Sequence, residues 1–158
     1  MRSLVVSFAV IAVAACSGGD APPDADEALA CMTSGRGEVY TVGLEHAGIH
    51  GLLDFKLMSA DPAPPGRNLN TWLIQINSMA SGVVGAPAAN ATMTVTPFMP
   101  DHGHSAGAYT VQVKAMPDAG QYQLSEINTW MPGYWEITID AQVGSVRDTV
   151  VYKFCIQA

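Results

Sequence analysis

The sequence predicts an all-β protein, an antiparallel immunoglobulin-like β-sandwich of seven to eight strands. Three observations support this class. From Glu38 onward, apolar residues alternate with polar ones at a period of two in one segment after another. Clusters of Gly, Pro, Asp and Ser separate these segments. No window keeps the 3.6-residue apolar period of an amphipathic helix, so strands joined by turns are expected.

Eight segments are strand candidates. In the first seven the apolar positions fall on one face, as half-buried strands require, whereas the last, over residues 146–156, is apolar on both faces. The connecting segments contain Pro-Gly, Ser-Gly, Asp-Ala-Gly and Val-Gly turns, which suit reversals of direction between neighbouring strands. The candidates are centred on residues 40–44, 53–57, 72–76, 93–95, 111–113, 122–124, 135–139 and 146–156.

The first 16 residues predict export. A short positive segment precedes twelve apolar residues at 4–15, which indicates a signal peptide over 1–15. Twelve residues are too few for a transmembrane helix, which needs about 20. Val13-Ala14-Ala15-Cys16 resembles the bacterial lipobox. The resemblance implies lipidation of Cys16, membrane anchoring through that lipid, and, since Ser17 follows, an outer-membrane location facing the periplasm.

Residues 16–36 are predicted to be a flexible tether, and residues 37–158 the folded domain, because the tether offers almost no residues for a core. In an oxidising compartment, Cys31 and Cys155 either form a disulfide or remain two free thiols. A disulfide would close a loop of about 124 residues, for which chain entropy gives on the order of 4 to 5 kcal/mol.

The charge balance excludes one class of partner. Seven Lys and Arg stand against fourteen Asp and Glu, a formal net charge of −7. Phosphate recognition requires a basic face, so nucleic acid is not an expected partner.

The segment Phe98-Met99-Pro100-Asp101-His102-Gly103-His104 places a thioether and two imidazoles on one predicted loop. Thioethers are soft ligands and imidazole accepts several transition metals, so this mixture favours copper over calcium or magnesium. A second Met-Pro unit, at Met131, could approach from a neighbouring loop. The sequence therefore predicts a copper site formed by Met99, His102, His104 and Met131. The alternative is that the methionines pack against the core while both imidazoles are solvated.

Two stretches resemble the YtkA-like domains of bacterial exported proteins. They are MPDHGHSAG at 99–107 and GQYQLSEINTWMPGYWEITI at 120–139, with a weaker likeness in NLNTWLIQI at 68–76. The resemblance implies an immunoglobulin-like sandwich and links to copper handling and cell-envelope assembly. It matches Met99, His104 and Met131 to motif positions, whereas His102 precedes the Gly-His pair.

A catalytic role is not expected. Gly103-His104-Ser105-Ala106-Gly107 matches the G-x-S-x-G nucleophile elbow, but every His precedes Ser105, whereas the α/β-hydrolase triad runs Ser, acid, His. Two functions are carried forward. The first is a lipid-anchored envelope protein that binds copper. The second is a non-catalytic structural or protein-interaction module of the cell envelope, with another envelope protein as partner.

Overall fold

The computed structural model describes residues 23–158. The predicted signal peptide over 1–15 and the predicted lipidation of Cys16 lie outside these residues. The described chain forms one helix and ten strands. They are α1 Pro23–Ser34, β1 Leu44–Ala47, β2 Leu53–Asp61, β3 Asn68–Ala80, β4 Val83–Pro87, β5 Thr92–Met99, β6 His104–Ser105, β7 Gln112–Ala115, β8 Gln121–Thr129, β9 Gly133–Val143 and β10 Val146–Ile156.

The strands form two antiparallel sheets. The larger sheet has the order β1-β2-β3-β8-β7, with β4 paired to the end of β3, and the smaller sheet has the order β10-β9-β5-β6. The predicted all-β sandwich is therefore confirmed. The described chain exceeds the predicted seven to eight strands because two were missed: β4 is exposed along its whole length and shows no alternation, and β6 has only two residues.

The first predicted strand was misplaced. Tyr40 and Leu44 do pack against the core, but Val42 lies at a turn and is exposed. Gly43 has φ +83°, a left-handed conformation that reverses the chain just before β1. The strand thus begins at Leu44, where the sequence analysis ends it.

The core lies between the inner faces of the two sheets. Trp72 of the larger sheet makes edge-to-face contacts with Tyr152 and Phe154 of the smaller sheet, with ring centroids 5.8 Å and 5.6 Å apart. All three side chains are buried. Such aromatic pairs contribute about 0.5–1.5 kcal/mol each to stability beyond the effect of the area they bury. They therefore help to fix the position of one sheet relative to the other.

The predicted flexible tether is wrong for its second half, because Pro23–Ser34 forms helix α1. Pro23 suits the first helical position and Gly35, at φ +68°, suits the residue that ends the helix. A 12-residue helix is marginal in isolation. Here Ala28 and Cys31 are buried against the body, and α1 packs against β9 and β10.

The disulfide left open by the sequence is present. Cys31 and Cys155 are bridged, with their Cα atoms 5.6 Å apart, and the bridge joins α1 to the end of β10. No helix within residues 23–158 is both long enough and apolar enough to span a membrane.

At the opposite end of β10, Asp148 fastens the loop that leads into β2. Its carboxylate accepts hydrogen bonds from the backbone N–H groups of His50, Leu52, Leu53 and Thr149 at 2.8–3.0 Å. Burial alone would raise the pKa of Asp148, but these four donors outweigh it and lower that pKa. The side chain is fully buried, so both oxygens exchange water for backbone partners.

Candidate metal centre

The first Met-Pro segment forms the hairpin between β5 and β6. Met99 ends β5 and His104 begins β6, and the two residues are directly paired. The backbone N–H of Gly103 donates to the carbonyl of Met99 at 2.9 Å and closes the turn. Directly opposite residues of an antiparallel pair project to the same face with their Cβ atoms about 4.5–5.5 Å apart. The pairing therefore sets the Met99 and His104 side chains beside each other at the end of the smaller sheet.

The second Met-Pro segment reaches this hairpin, as the sequence predicted. The Trp130 ring stacks on the His104 ring with centroids 5.5 Å apart and an interplanar angle of 21°. The Met131 carbonyl accepts a hydrogen bond from the Trp135 indole at 2.9 Å, which holds the segment against β9. We use "the rim" for this end of the sandwich, comprising Met99, His102, His104 and Trp130.

Both imidazoles of the rim have one ring nitrogen anchored. His104 Nδ1 lies 3.1 Å from the Ser105 carbonyl, and His102 Nε2 lies 2.9 Å from Glu27 Oε1. A carbonyl or an ionised carboxylate can only accept, so these nitrogens carry the protons. In the neutral form of each ring, the second nitrogen, Nε2 of His104 and Nδ1 of His102, keeps a lone pair that can bind a metal ion.

The separation of the two rings suits a shared ion. The His102 and His104 centroids are 5.6 Å apart, with an interplanar angle of 70°. Imidazole nitrogens lie about 2.0–2.1 Å from zinc, and taking copper as similar puts each ring centroid roughly 3 Å from the ion and two ligating rings about 4.5–6 Å apart. The observed spacing falls in this range.

Met99 is the residue of the rim that also belongs to the hydrophobic core. It is buried, and it lines a cavity of about 410 Å³ together with Glu27, Asp101 and His102. A Cβ atom at Gly133 would lie only 2.7 Å from the Met99 methyl carbon, so the glycine of the second Met-Pro segment makes room for the thioether. Met99 and His102 therefore share one cavity.

Met131 is placed differently from the other three predicted ligands. It is half-buried and packs against the core. Neither Met131 nor His104 lines the cavity that Met99 and His102 share, but His104 is directly paired with Met99 and its ring lies beside that of His102. The rim brings together Met99, His102 and His104, while Met131 contacts it through its neighbours Trp130 and Gly133.

Charged groups next to the cavity have other partners. Arg36 forms a bidentate ion pair with Asp101, with N–O distances of 2.8 Å and 2.9 Å. The Arg36 guanidinium also lies 4.0 Å from the centroid of the Tyr134 ring. The Tyr134 hydroxyl donates a hydrogen bond to Glu136. Burial and this hydrogen bond raise the pKa of Tyr134 to about 12. The Arg36 pair ties the chain after α1 to the hairpin turn.

Sequence reasoning missed Glu27, which had been assigned to a solvated tether. Its Oε2 atom is buried and has no hydrogen-bond partner, a state shared with only Trp72 Nε1 among the side-chain nitrogens and oxygens of residues 23–158. A signal was available. Residues four apart lie on one face of a helix, so a helix through Cys31 with the Cys155 bridge would have aimed Glu27 at the body.

No group of three or more His, Cys, Asp and Glu side chains within residues 23–158 is arranged to hold a metal ion. The rim offers a different set, two imidazoles and one thioether, with the carboxylate of Glu27 behind one imidazole.

Comparison with known proteins gives no match: no family model fits the chain, and neither a curated protein nor a solved structure is significantly similar to it. Membership of the YtkA-like family therefore stays a prediction from the motifs at 99–107 and 120–139.

Proposed function

We propose that this protein binds copper at the rim, through His102 and His104 with the Met99 thioether as third donor, and that it carries the ion without catalysing a reaction. Met131 supports the loop and is not a ligand in this proposal. The ligand set thus keeps three of the four residues that the sequence suggested.

One observation carries the proposal: the two imidazole rings lie 5.6 Å apart, each with one nitrogen already anchored. Solvated histidines on a surface loop have no need of fixed tautomers. Metal-binding histidines commonly have their second nitrogen bound to a carbonyl or carboxylate, which sets the ring orientation. Both arrangements occur here, one at each ring.

The thioether selects the metal. Imidazole accepts zinc, copper, iron and nickel, but thioether sulfur favours Cu(I). Met99 lines the same cavity as His102 and is directly paired with His104, so the fold places a soft donor next to both histidines. Cu(I) is therefore the species that this set suits best.

The test is a Cu(I) titration of the full chain, purified in detergent, in competition with a chromogenic chelator. We expect one ion per chain and at least about a tenfold loss of affinity in His102→Ala/His104→Ala, because two ligands are removed. Met99→Leu, which keeps the side-chain volume, should weaken Cu(I) more than Zn²⁺.

Matched controls use the same residue types outside the rim. His50→Ala removes an exposed imidazole and Met116→Leu removes a half-buried thioether, and neither should change the affinity. Equal affinity of wild type and the double His variant would refute the proposal.

The second candidate is the envelope interaction module. The deep burial of Met99, with 1% of its surface exposed, and the packing of Met131 against the core favour a purely structural role for both methionines. Under this candidate Met99→Leu and the His variants leave Cu(I) affinity unchanged, and pull-down of an envelope protein depends on the rim surface instead.

We also propose that the protein is a lipoprotein of the cell envelope, anchored through Cys16 and facing the periplasm. The Cys31–Cys155 disulfide supports this location, because such bonds persist in oxidising compartments. Expression of Cys16→Ser should move the protein from the membrane fraction to the soluble periplasmic fraction. Retention of this variant in the membrane would contradict the lipid anchor.

A further inference from the structure

Glu27 belongs to the segment before the sandwich, yet it is fixed against the rim. It lies one helical turn before Cys31, whose bridge to Cys155 holds α1 on the body, and its neighbour Ala28 is buried there. At the far end of the segment, Arg36 pairs with Asp101 of the hairpin turn. These three attachments, all C-terminal to Glu27 in the segment, fix its position.

The two carboxylate oxygens of Glu27 are in different states. Oε1 accepts the hydrogen bond from His102 Nε2 at 2.9 Å, and Oε2 is buried without a donor. Glu27 lines the cavity with Met99, His102 and Gly133, and its Oε2 lies next to the position that a Cβ atom at Gly133 would occupy. A carboxylate oxygen shielded from water and lacking a donor is costly, so the arrangement is short of positive charge.

We propose that Glu27 is a positioning residue of the copper site: it holds His102 with Nε2 protonated, so that Nδ1 is the nitrogen that binds the ion. The inference rests on the proposed function and assigns part of the site to the N-terminal helix. The ligands come from the sandwich, and the group that orients one of them comes from α1.

A bound cation and the Glu27 carboxylate should stabilise each other through the His102 ring. A cation on Nδ1 draws electron density from the ring and makes the Nε2–H a stronger donor to Glu27. The same cation supplies the positive charge that the Glu27 carboxylate lacks. Carboxylate partners of metal-binding histidines typically account for 10–100-fold in metal affinity. Because linkage is reciprocal, the bound ion also strengthens the docking of α1 on the body.

The competing explanation is an ordinary surface ion pair. The His102 and Glu27 side chains are 30% and 37% exposed, and such pairs are worth about 0–1 kcal/mol. This explanation makes no demand on metal affinity or on the His102 tautomer, so the two can be separated.

The experiment compares wild type, Glu27→Ala and Glu27→Gln as full chains, using Cu(I) alone as the ligand under a competing chelator. Glu27→Ala removes the acceptor and should lower affinity by about tenfold or more. Glu27→Gln keeps a neutral acceptor for Nε2–H and should fall between the two. Asp26→Asn is the matched control, an exposed acid one residue away on the same helix, and should leave affinity within about twofold of wild type.

A second readout does not depend on copper. Nitrogen NMR of His102 in the apo protein should report the Nε2–H tautomer in wild type and a mixture of tautomers in Glu27→Ala, while His104 stays unchanged. If wild type binds no Cu(I), the proposed function fails. If wild type binds Cu(I) but Glu27→Ala matches it in affinity and tautomer, the function stands and the role of Glu27 is overturned.

Discussion

Two carboxylates make contacts at opposite ends of β10, and they differ in burial and in the number of their hydrogen-bond donors. Asp148 has four backbone N–H donors shared between its two oxygens. Glu27 has one donor on Oε1 and none on Oε2. Both oxygens of Asp148 accept hydrogen bonds from the protein, whereas Oε2 of Glu27 has no hydrogen-bond donor within residues 23–158.

The difference separates stability from binding. A carboxylate whose hydrogen bonds are complete contributes to folding and gains nothing from a ligand. A carboxylate left half-satisfied contributes little to folding and gains from a nearby cation. The Asp148 end of the sandwich is therefore the structural end, and the rim is the end where we expect binding.

The largest effect should come from Asp148→Ala. Four backbone donors would lose their acceptor, and unsatisfied buried donors cost about 1–3 kcal/mol each, reduced where the loop opens to water. We expect a loss of about 4–5 kcal/mol in the free energy of unfolding, measured by urea denaturation, with Cu(I) affinity of the folded fraction unchanged. A loss below about 1 kcal/mol would contradict the claim that Asp148, unlike Glu27, is mainly a stabilising residue.

Removal of the disulfide should have the next largest effect. Cys31→Ser/Cys155→Ser releases a loop constraint worth about 2–4 kcal/mol. It also frees α1, so Glu27 should leave His102 and Cu(I) affinity should fall. Adding Glu27→Ala to this double variant should then cost little more. Full additivity of the two losses would show that Glu27 acts independently of the docked helix.

Acid should weaken the Asp148 end. The pKa of Asp148 is lowered in the folded state, so its contribution to stability is present above the unfolded pKa of about 3.9 and is lost as pH falls through the lower folded value. The slope of unfolding free energy against pH below about pH 4 should be smaller in Asp148→Asn than in wild type. Parallel slopes would contradict this assignment.

The smallest effect on stability should come from Glu27→Gln. The hydrogen bond with His102 is partly exposed, so its loss should change the free energy of unfolding of the apo protein by about 0.5 kcal/mol or less. Thermal unfolding with and without Cu(I) measures this directly. A large loss without the metal would make Glu27 a structural residue like Asp148.

Much of this arrangement was predictable from alternation alone. The buried strand residues Trp72, Ile74 and Ile76 recur at every second position, with the polar Gln75 and Asn77 on the other face, and they fix which faces of the sheets meet. Period-two patterns report burial on one face, so they found the long strands. They missed β4, because an exposed strand shows no such pattern.

The candidate site was predicted only in part. Met99, His102 and His104 are close in sequence, so a hairpin was enough to bring them together. Met131 also lay near, but its packing against the core depends on the full fold. Glu27 is 75 residues from its partner His102, and the two regions are brought together by long-range connections such as the bridge from Cys31 to Cys155 and the Arg36–Asp101 ion pair. Local patterns contain no information on such a distant pairing.

If Cys16 is lipidated as proposed, the docked helix also limits how far the body can lie from the membrane. If residues 16–36 were the flexible tether that the sequence predicts, these 21 residues could extend about 70 Å from a lipid on Cys16. With α1 starting at Pro23, only seven residues remain between the lipid and the docked segment, and they reach at most about 25 Å. Such a short connection would keep the rim, which Glu27 contacts, close to the bilayer surface.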